Sequence, residues 1–254
     1  MRAKKHLSQF FLVDKNTLGK IADVIRVDDC DQVLEIGCGR GELTRFLLEK
    51  GKPLIGVEID PKLCEVLLEK LKSAPGLTIV CGDILEFRAV PPNTVVAGNV
   101  PYHISFAILE FLVEHRALIK RAYLTLQKEF ARKLTACPGT KDYGFISCFI
   151  RFYADVRQHF TIRRSCFFPS PKVDSATVEI DLFLQPKVDV ADEKRFFRFV
   201  KSVFSQRRKK IRNILAGLYP SLDISLLLSG CAIDPDQRPE TIPLEKLAAV
   251  FNAV

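Results

Sequence analysis

The chain has 254 residues, 48% of them hydrophobic and 27% charged, which suits a soluble protein with a full-sized core, built as one large domain or one with a small appendage. No apolar run approaches the roughly 20 residues of a membrane span, Phe10 to Val13 is too short for a signal-peptide core, and eight scattered cysteines beside four histidines lack disulfide or metal spacing, so a reduced, cytoplasmic protein without membrane or metal is expected. The net charge of +8 points to a polyanionic partner.

After an N-terminal segment, "LSQFFLVD", apolar strand-like runs alternate with helical patterns from about residue 30 to 130: "QVLEIG", "LTRFLLEK", "PLIGVE", "KLCEVLLEKL", "LTIVC", "TVVAG", "FAILEFLVE" and "AYLTLQ". Such alternation predicts an α/β fold, a doubly wound, Rossmann-like parallel sheet with crossover helices. In "SATVEIDLF", Ala176, Val178, Ile180 and Leu182 alternate with polar residues, as in an antiparallel strand completing that sheet. Beyond "QPKVDVAD" the pattern is helical: Phe196, Val200, Val203, Phe204, Ile211, Ile214 and Leu215 keep helical spacing. The predicted domains are residues 1–186 for the sheet and 187–254 for a small all-helical domain.

That helical tail carries Arg195, Arg198, Lys201, Arg207, Arg208, Lys209, Lys210 and Arg212 without an acid between Arg195 and Asn213. Solvated faces normally mix signs, so the run reads as a phosphate-binding surface. On a continuous helix Lys201, Arg208 and Arg212 share one face, opposite Phe196, Val200 and Val203.

Three consecutive strand ends carry residues suited to a ligand. Gly37, Gly39 and Gly41 occupy a strand-to-helix turn where a ligand can approach the backbone. Glu58 ends the next strand, placed to accept from ribose hydroxyls, and Asp83 ends the third, placed to accept from an adenine amino group. The turn is G-x-G-x-G preceded by Glu35, a poor neighbour for a diphosphate but a suitable one for a cation. S-adenosylmethionine, with its sulfonium and ammonium, fits both points. At the end of the next strand, "GNVPYHIS" admits two readings: ordinary turn chemistry, or an amide, a backbone carbonyl and a phenol gripping a flat amino-bearing base.

The blocks "EIGCGRG", "GVEID", "CGDILEF", "GNVPYHIS", "QKEFARKL", "FFPSPKVDSATV" and "FSQRRKKIRNIL", with the N-terminal "LSQFFLVD", give the chain a resemblance along nearly its whole length to the KsgA-type small-subunit ribosomal RNA adenine dimethyltransferases. The resemblance implies a class I methyltransferase sheet and dimethylation of adenine N6 during ribosome assembly. It implies that Gly37, Glu58, Asp83 and Asn99 contact S-adenosylmethionine, with Leu12 closing over it. It further implies that Asn99 and the Pro101 carbonyl accept the N6 hydrogens and that Tyr102 stacks on the base. Phe167 would offer a second stacking face or, equally, fill the core; His103 reads as structural. One position departs from the family pattern. Where a polar residue usually stands, this chain has Phe10, whose backbone alone could replace the missing contact. Lys201, Arg207, Arg208, Lys209 and Arg212 are the expected RNA contacts, with Lys4, Lys5, Arg163 and Arg164 next, and the partner is the assembling small subunit, met by a single copy of the chain. The competing classes are a DNA adenine methyltransferase and a non-catalytic assembly factor on the same scaffold.

Overall fold

The computed structural model describes residues 10–71 and 74–254, so Lys4, Lys5, Ser8 and Gln9 lie outside the described residues. By packing, the chain falls into two units, the first comprising the described residues up to Ala131 together with Val156–Leu184, the second Arg132–Asp155 with Gln185–Val254. The second unit thus takes in residues 132–155 as well as the expected C-terminal helices. No helix among the described residues is long and apolar enough to cross a membrane.

The first unit is built on a seven-stranded sheet. Strands β2 (Gln32–Ile36), β3 (Leu54–Glu58), β4 (Leu77–Cys81), β5 (Thr94–Asn99), β6 (Ile119–Gln127), β7 (Ala154–Ile162) and β9 (Ser175–Leu182) lie in the order β4-β3-β2-β5-β6-β9-β7. The five strands from β4 to β6 are mutually parallel, and β9 joins β6 antiparallel. Central strands covered on both faces must be apolar throughout rather than alternating. Accordingly Val33, Leu34, Val95, Val96, Ala97, Ala122 and Leu124 are fully buried. Helices α1 (Lys15–Val24), α2 (Glu42–Leu48), α3 (Pro61–Leu71) and α4 (Ser105–Glu114) belong to the same unit.

The strand order reverses between β2 and β5, and open α/β sheets bind ligands in the crevice at such a switch point. Close approach of these two strands depends on Gly98: a Cβ there would come 2.6 Å from the Ile36 carbonyl oxygen. A further short pair, β1 (Phe11–Leu12) with β8 (Phe167–Phe168), ties the N-terminal segment down, with Phe11 opposite Phe168 and Leu12 opposite Phe167. Inside the sheet the buried Glu179 accepts from Tyr123, at 3.1 Å, and from Arg26, and pairs with His159 Nε2 at 2.8 Å, joining β6, β7, β9 and the segment after α1.

The second unit contains α6 (Phe145–Tyr153), α7 (Glu193–Ser205), α8 (Ile211–Leu218), α9 (Ile224–Gly230) and α10 (Leu244–Asn252), and α5 (Lys128–Thr135) runs across the division. Aromatic rings fill its interior, among them Phe152, Phe196 and Phe197 in mutual contact, with Phe251 against Phe196. Asp192 caps α7 by accepting from the Arg195 amide at 2.9 Å.

The structure corrects one expectation in this unit: no single helix carries Lys201, Arg208 and Arg212. Helix α7 stops at Ser205, residues 206–209 form a turn and bend, and α8 starts at Ile211. On a continuous helix Arg207 with Lys210, Lys209 with Arg212 and Arg208 with Arg212 would be like charges three or four positions apart, which disfavours the helix. The seven-residue step from Phe204 to Ile211 suits two helices joined by a turn as well as one continuous helix, so the spacing did not reveal the break. The eight cysteines are all free; Cys81 at the end of β4 and Cys137 in the second unit are exposed.

Candidate active site

The carboxyl ends of β2, β3, β4 and β5 border a cleft of about 200 Å³. Its lining includes Phe10, Gly37, Gly39, Glu58, Asp83, Asn99, Pro101 and Tyr102, so eight of the expected cofactor and base residues are brought together in one place. Ile36, Val57, Ile59, Leu63, Ile84 and Ile104 supply apolar walls. Ile59, half exposed beside Glu58, is a wall residue that the sequence reading missed, although it directly follows the strand-end acid.

The glycine turn after β2 is held from β3. Gly37, Gly39 and Gly41 all have positive φ, at 72°, 59° and 84°, which glycine alone adopts without cost. The Gly39 amide donates to Glu58 Oε2 at 2.8 Å, and the Asp60 amide donates to Glu58 Oε1 at 3.0 Å. Glu58 is therefore a brace for the turn as well as a cleft residue, with one backbone donor on each oxygen. Burial raises its pKa, against the lowering effect of the Asp60 and Gly39 amides.

Beneath the turn lies a smaller cavity of about 40 Å³, lined by Phe11, Leu12, Leu18, Glu35 and Thr125 among others. Leu12 lines this inner cavity rather than the main cleft, and the two share Phe11, Gly37, Gly39 and Asn99. Glu35 is 1% exposed, and its Oε2 has no hydrogen-bond partner. Burial pushes its carboxyl up to about 7, partly offset by the adjacent Thr44 and Cys38 side chains, with Glu58 and Glu42 adding repulsion.

Asp83 caps a single 3₁₀ turn, its Oδ1 accepting from the Leu85 amide at 2.9 Å. At the end of β5, Asn99 Nδ2 donates to the Phe10 carbonyl at 2.9 Å, which leaves Oδ1 as the acceptor available to a ligand. The Pro101 carbonyl accepts from the Ile104 amide at 3.1 Å and retains a second lone pair. Tyr102 is fixed through its hydroxyl, 2.7 Å from Ser175 Oγ on β9, and its ring packs on that of Phe10 with centroids 5.6 Å apart. Burial raises the Tyr102 pKa, against the Ser175 hydrogen bond. Ser175 opens β9 and is a site residue that the sequence pattern does not reveal, because a serine at the start of an alternating strand carries no distinguishing signal. His103 lines the cleft and is exposed.

Phe167 is the one expected base contact that the structure keeps away from the cleft. It is 4% exposed and sits in the core with Leu12, Leu18 and Tyr123. Strand alternation turns its neighbour outward, and Phe168 is 59% exposed.

Of the expected RNA contacts, Lys201, Arg208, Lys209 and Arg212 are exposed and Arg207 is half-buried. Arg207 donates to the Lys141 carbonyl at 2.8 Å, while Arg212 and Lys210 share Asp236 at 2.8 and 2.9 Å. The run is free of acids in sequence but not in space. Arg163 and Arg164 are exposed on the segment before β8.

Known proteins resemble the chain over its full length. A family model described as ribosomal RNA adenine dimethylase matches residues 1–254. The ribosomal RNA small subunit methyltransferase A of Geobacter metallireducens is 40% identical over 264 residues, covering 100% of this chain and 96% of its own length. Among solved structures, the 23S rRNA methyltransferase ErmE superposes with a TM-score of 0.75 at 29% identity, covering 95% of this chain and 98% of its own. A dimethyladenosine transferase from Plasmodium falciparum gives a TM-score of 0.80 at 24% identity over 94% of this chain and 95% of its own, a likeness of fold. With the strand-end acids, the Asn-Val-Pro-Tyr turn and a match running from the first residue to the last, the chain belongs to the ribosomal RNA adenine dimethylase family.

Proposed function

We propose that the chain transfers two methyl groups from S-adenosylmethionine to the exocyclic N6 of adenine in small-subunit ribosomal RNA, acting as a single copy on an assembling subunit. Family membership and the name carried by the relative from Geobacter metallireducens support the reaction class and the substrate. The observation that carries the reading is the orientation of Asn99, whose amide nitrogen is engaged by Phe10 so that its oxygen is left as an acceptor at the cleft.

The donors and acceptors present fit the cofactor. Each Glu58 oxygen, already receiving one amide, keeps a lone pair for a ribose hydroxyl, and Asp83 Oδ2 stays open for an adenine amino group while Oδ1 serves the cap. The unpartnered Glu35 oxygen beneath the glycine turn suits a cationic ligand, because a buried carboxylate gains most from an opposite charge. Bound S-adenosylmethionine supplies an electrophilic methyl group.

The chain's own task is to make N6 a nucleophile, since its lone pair is delocalised into the ring. In the first transfer Asn99 Oδ1 and the Pro101 carbonyl each accept one N6 hydrogen, drawing the amine toward tetrahedral geometry and aiming its lone pair at the methyl group, whose bond to sulfur breaks as the bond to nitrogen forms. In the second, the monomethylated amine has one hydrogen left and one of the two acceptors holds it. Neither acceptor is a base of any strength, so the surplus N6 proton passes to water once the new bond has formed. Tyr102, pinned by Ser175, offers a stacking face to a base taken out of its helix or from an unpaired loop. The exposed cations of the second unit, with Arg163 and Arg164, contact phosphates.

The test is methyl transfer from labelled S-adenosylmethionine to small subunits lacking the modification, with duplex DNA in parallel. Nucleoside mass spectrometry should then find N6,N6-dimethyladenosine in the subunit RNA. Label appearing in the DNA would instead support a DNA methyltransferase, and no transfer by a protein that binds the cofactor would support an assembly factor.

A further inference from the structure

Asn99 and Tyr102 meet the same residue from outside their own turn, Phe10. The carboxamide of an asparagine has nearly the same shape when rotated by 180°, but the rotation exchanges an acceptor for two donors. With oxygen toward the substrate, Asn99 accepts an N6 hydrogen; with nitrogen there, it repels the amino group. The Phe10 carbonyl, 2.9 Å from Nδ2, removes the ambiguity, because the rotated amide would set two oxygens against each other. That carbonyl is itself well placed: the next two residues form β1, with Leu12 buried opposite Phe167 and Phe11 opposite Phe168.

The side chain of Phe10 makes the second contact. Half-buried against the core, its ring lies 5.6 Å from that of Tyr102 at a tilt of 32°. Ser175 fixes the far end of the tyrosine, and an aromatic neighbour limits rotation of the ring about that anchor.

We propose that Phe10 is a positioning residue for the substrate base, its carbonyl selecting the acceptor face of Asn99 and its ring setting the plane of Tyr102. The inference rests on the methyl-transfer reading given above, and it assigns Phe10 to the base half of the cleft rather than to the cofactor half.

Phe10→Ala, Phe10→Leu and Phe10→Tyr remove or restore the aromatic ring and leave the carbonyl in place, so they test the ring's role alone. With unmodified small subunits, Phe10→Ala and Phe10→Leu should lower kcat at saturating S-adenosylmethionine by about 10- to 50-fold, leave the cofactor Kd from calorimetry within about threefold, and Phe10→Tyr should restore most of the rate. A loss of cofactor affinity with kcat unchanged would make Phe10 a cofactor contact and overturn the proposal, as would wild-type kinetics in Phe10→Ala. The Asn99 side-chain amide, assigned by the signal lost in Asn99→Asp, gives a readout on the free protein. Its Nδ2 protons should be protected from exchange in wild type and also in Phe10→Ala, which keeps the carbonyl; Nδ2 protons that exchange freely in wild type would overturn the proposal. A wild-type protein inactive on subunit RNA would refute the proposed reaction, while the amide measurement would still decide whether Phe10 orients Asn99.

Discussion

Asn99 stands at the end of β5, in register with Thr125 of β6, and lines the cleft. Asn99→Ala therefore removes an acceptor and little core volume. It should lower kcat by two to three orders of magnitude, about 3–4 kcal/mol, as for other preorganised polar contacts, with unfolding close to wild type; near-normal turnover would sink the mechanism. Glu35 makes a prediction of another kind. Its carboxyl titrates at about 7 in the folded chain, against an ordinary value of 4.5. Between those values the folded protein holds a proton that the unfolded chain has lost, so this group lowers stability as pH rises through that window, by on the order of 3 kcal/mol. Above the folded pKa the penalty is complete. Glu35→Gln should erase that part of the pH dependence and, in the free protein, raise stability at about pH 8 relative to wild type. Urea melts at about pH 5 and 8 check this, and an unchanged difference between the two would show that the carboxyl is not the group responsible.

At the scale of elements, the interruption between α7 and α8 changes what the basic run can do. Lys201 leaves from a helix, Arg208 from a turn, and Arg212 from a second helix where Asp236 already partners it. A phosphate competing for Arg212 must first displace that acid. Lys201→Ala and Arg208→Ala should each remove roughly 0.7–0.9 from the log–log salt slope of subunit binding, and Arg212→Ala distinctly less. Sedimentation across a salt series reads all three, and equal slopes for the three variants would count against the role of Asp236. Cofactor affinity should not change, since every cleft-lining residue belongs to the first unit. The same elements show where sequence reasoning stops. Alternating apolar runs revealed the sheet because strands buried on both faces have to be apolar throughout, and strand-end acids revealed the cleft because the fold always delivers strand ends there. The helix break left no trace in an unbroken apolar period. Asp236 lies 24 positions beyond Arg212 in the sequence, and no local pattern links the two. Phe167 was ambiguous for a similar reason, since a two-residue strand is too short to reveal by alternation which of its phenylalanines faces inward.

For the molecule as a whole, the division into two units makes the positions of its thiols useful. Eight cysteines are free, yet only Cys81 and Cys137 are exposed. Cys81 closes β4 one residue before Gly82, which lines the cleft, whereas Cys137 belongs to the unit that contributes nothing to that lining. A maleimide reagent should therefore label these two first, and a ligand filling the cleft should slow the reaction at Cys81 while leaving Cys137 as an internal reference. Peptide mass spectrometry would give the ratio of the two labels, with no need for an active substrate. Equal protection of both thiols would mean that the ligand acts beyond the cleft. The wild-type chain thus comes with its own occupancy gauge, one thiol next in sequence to a lining residue and another in the unit that supplies none.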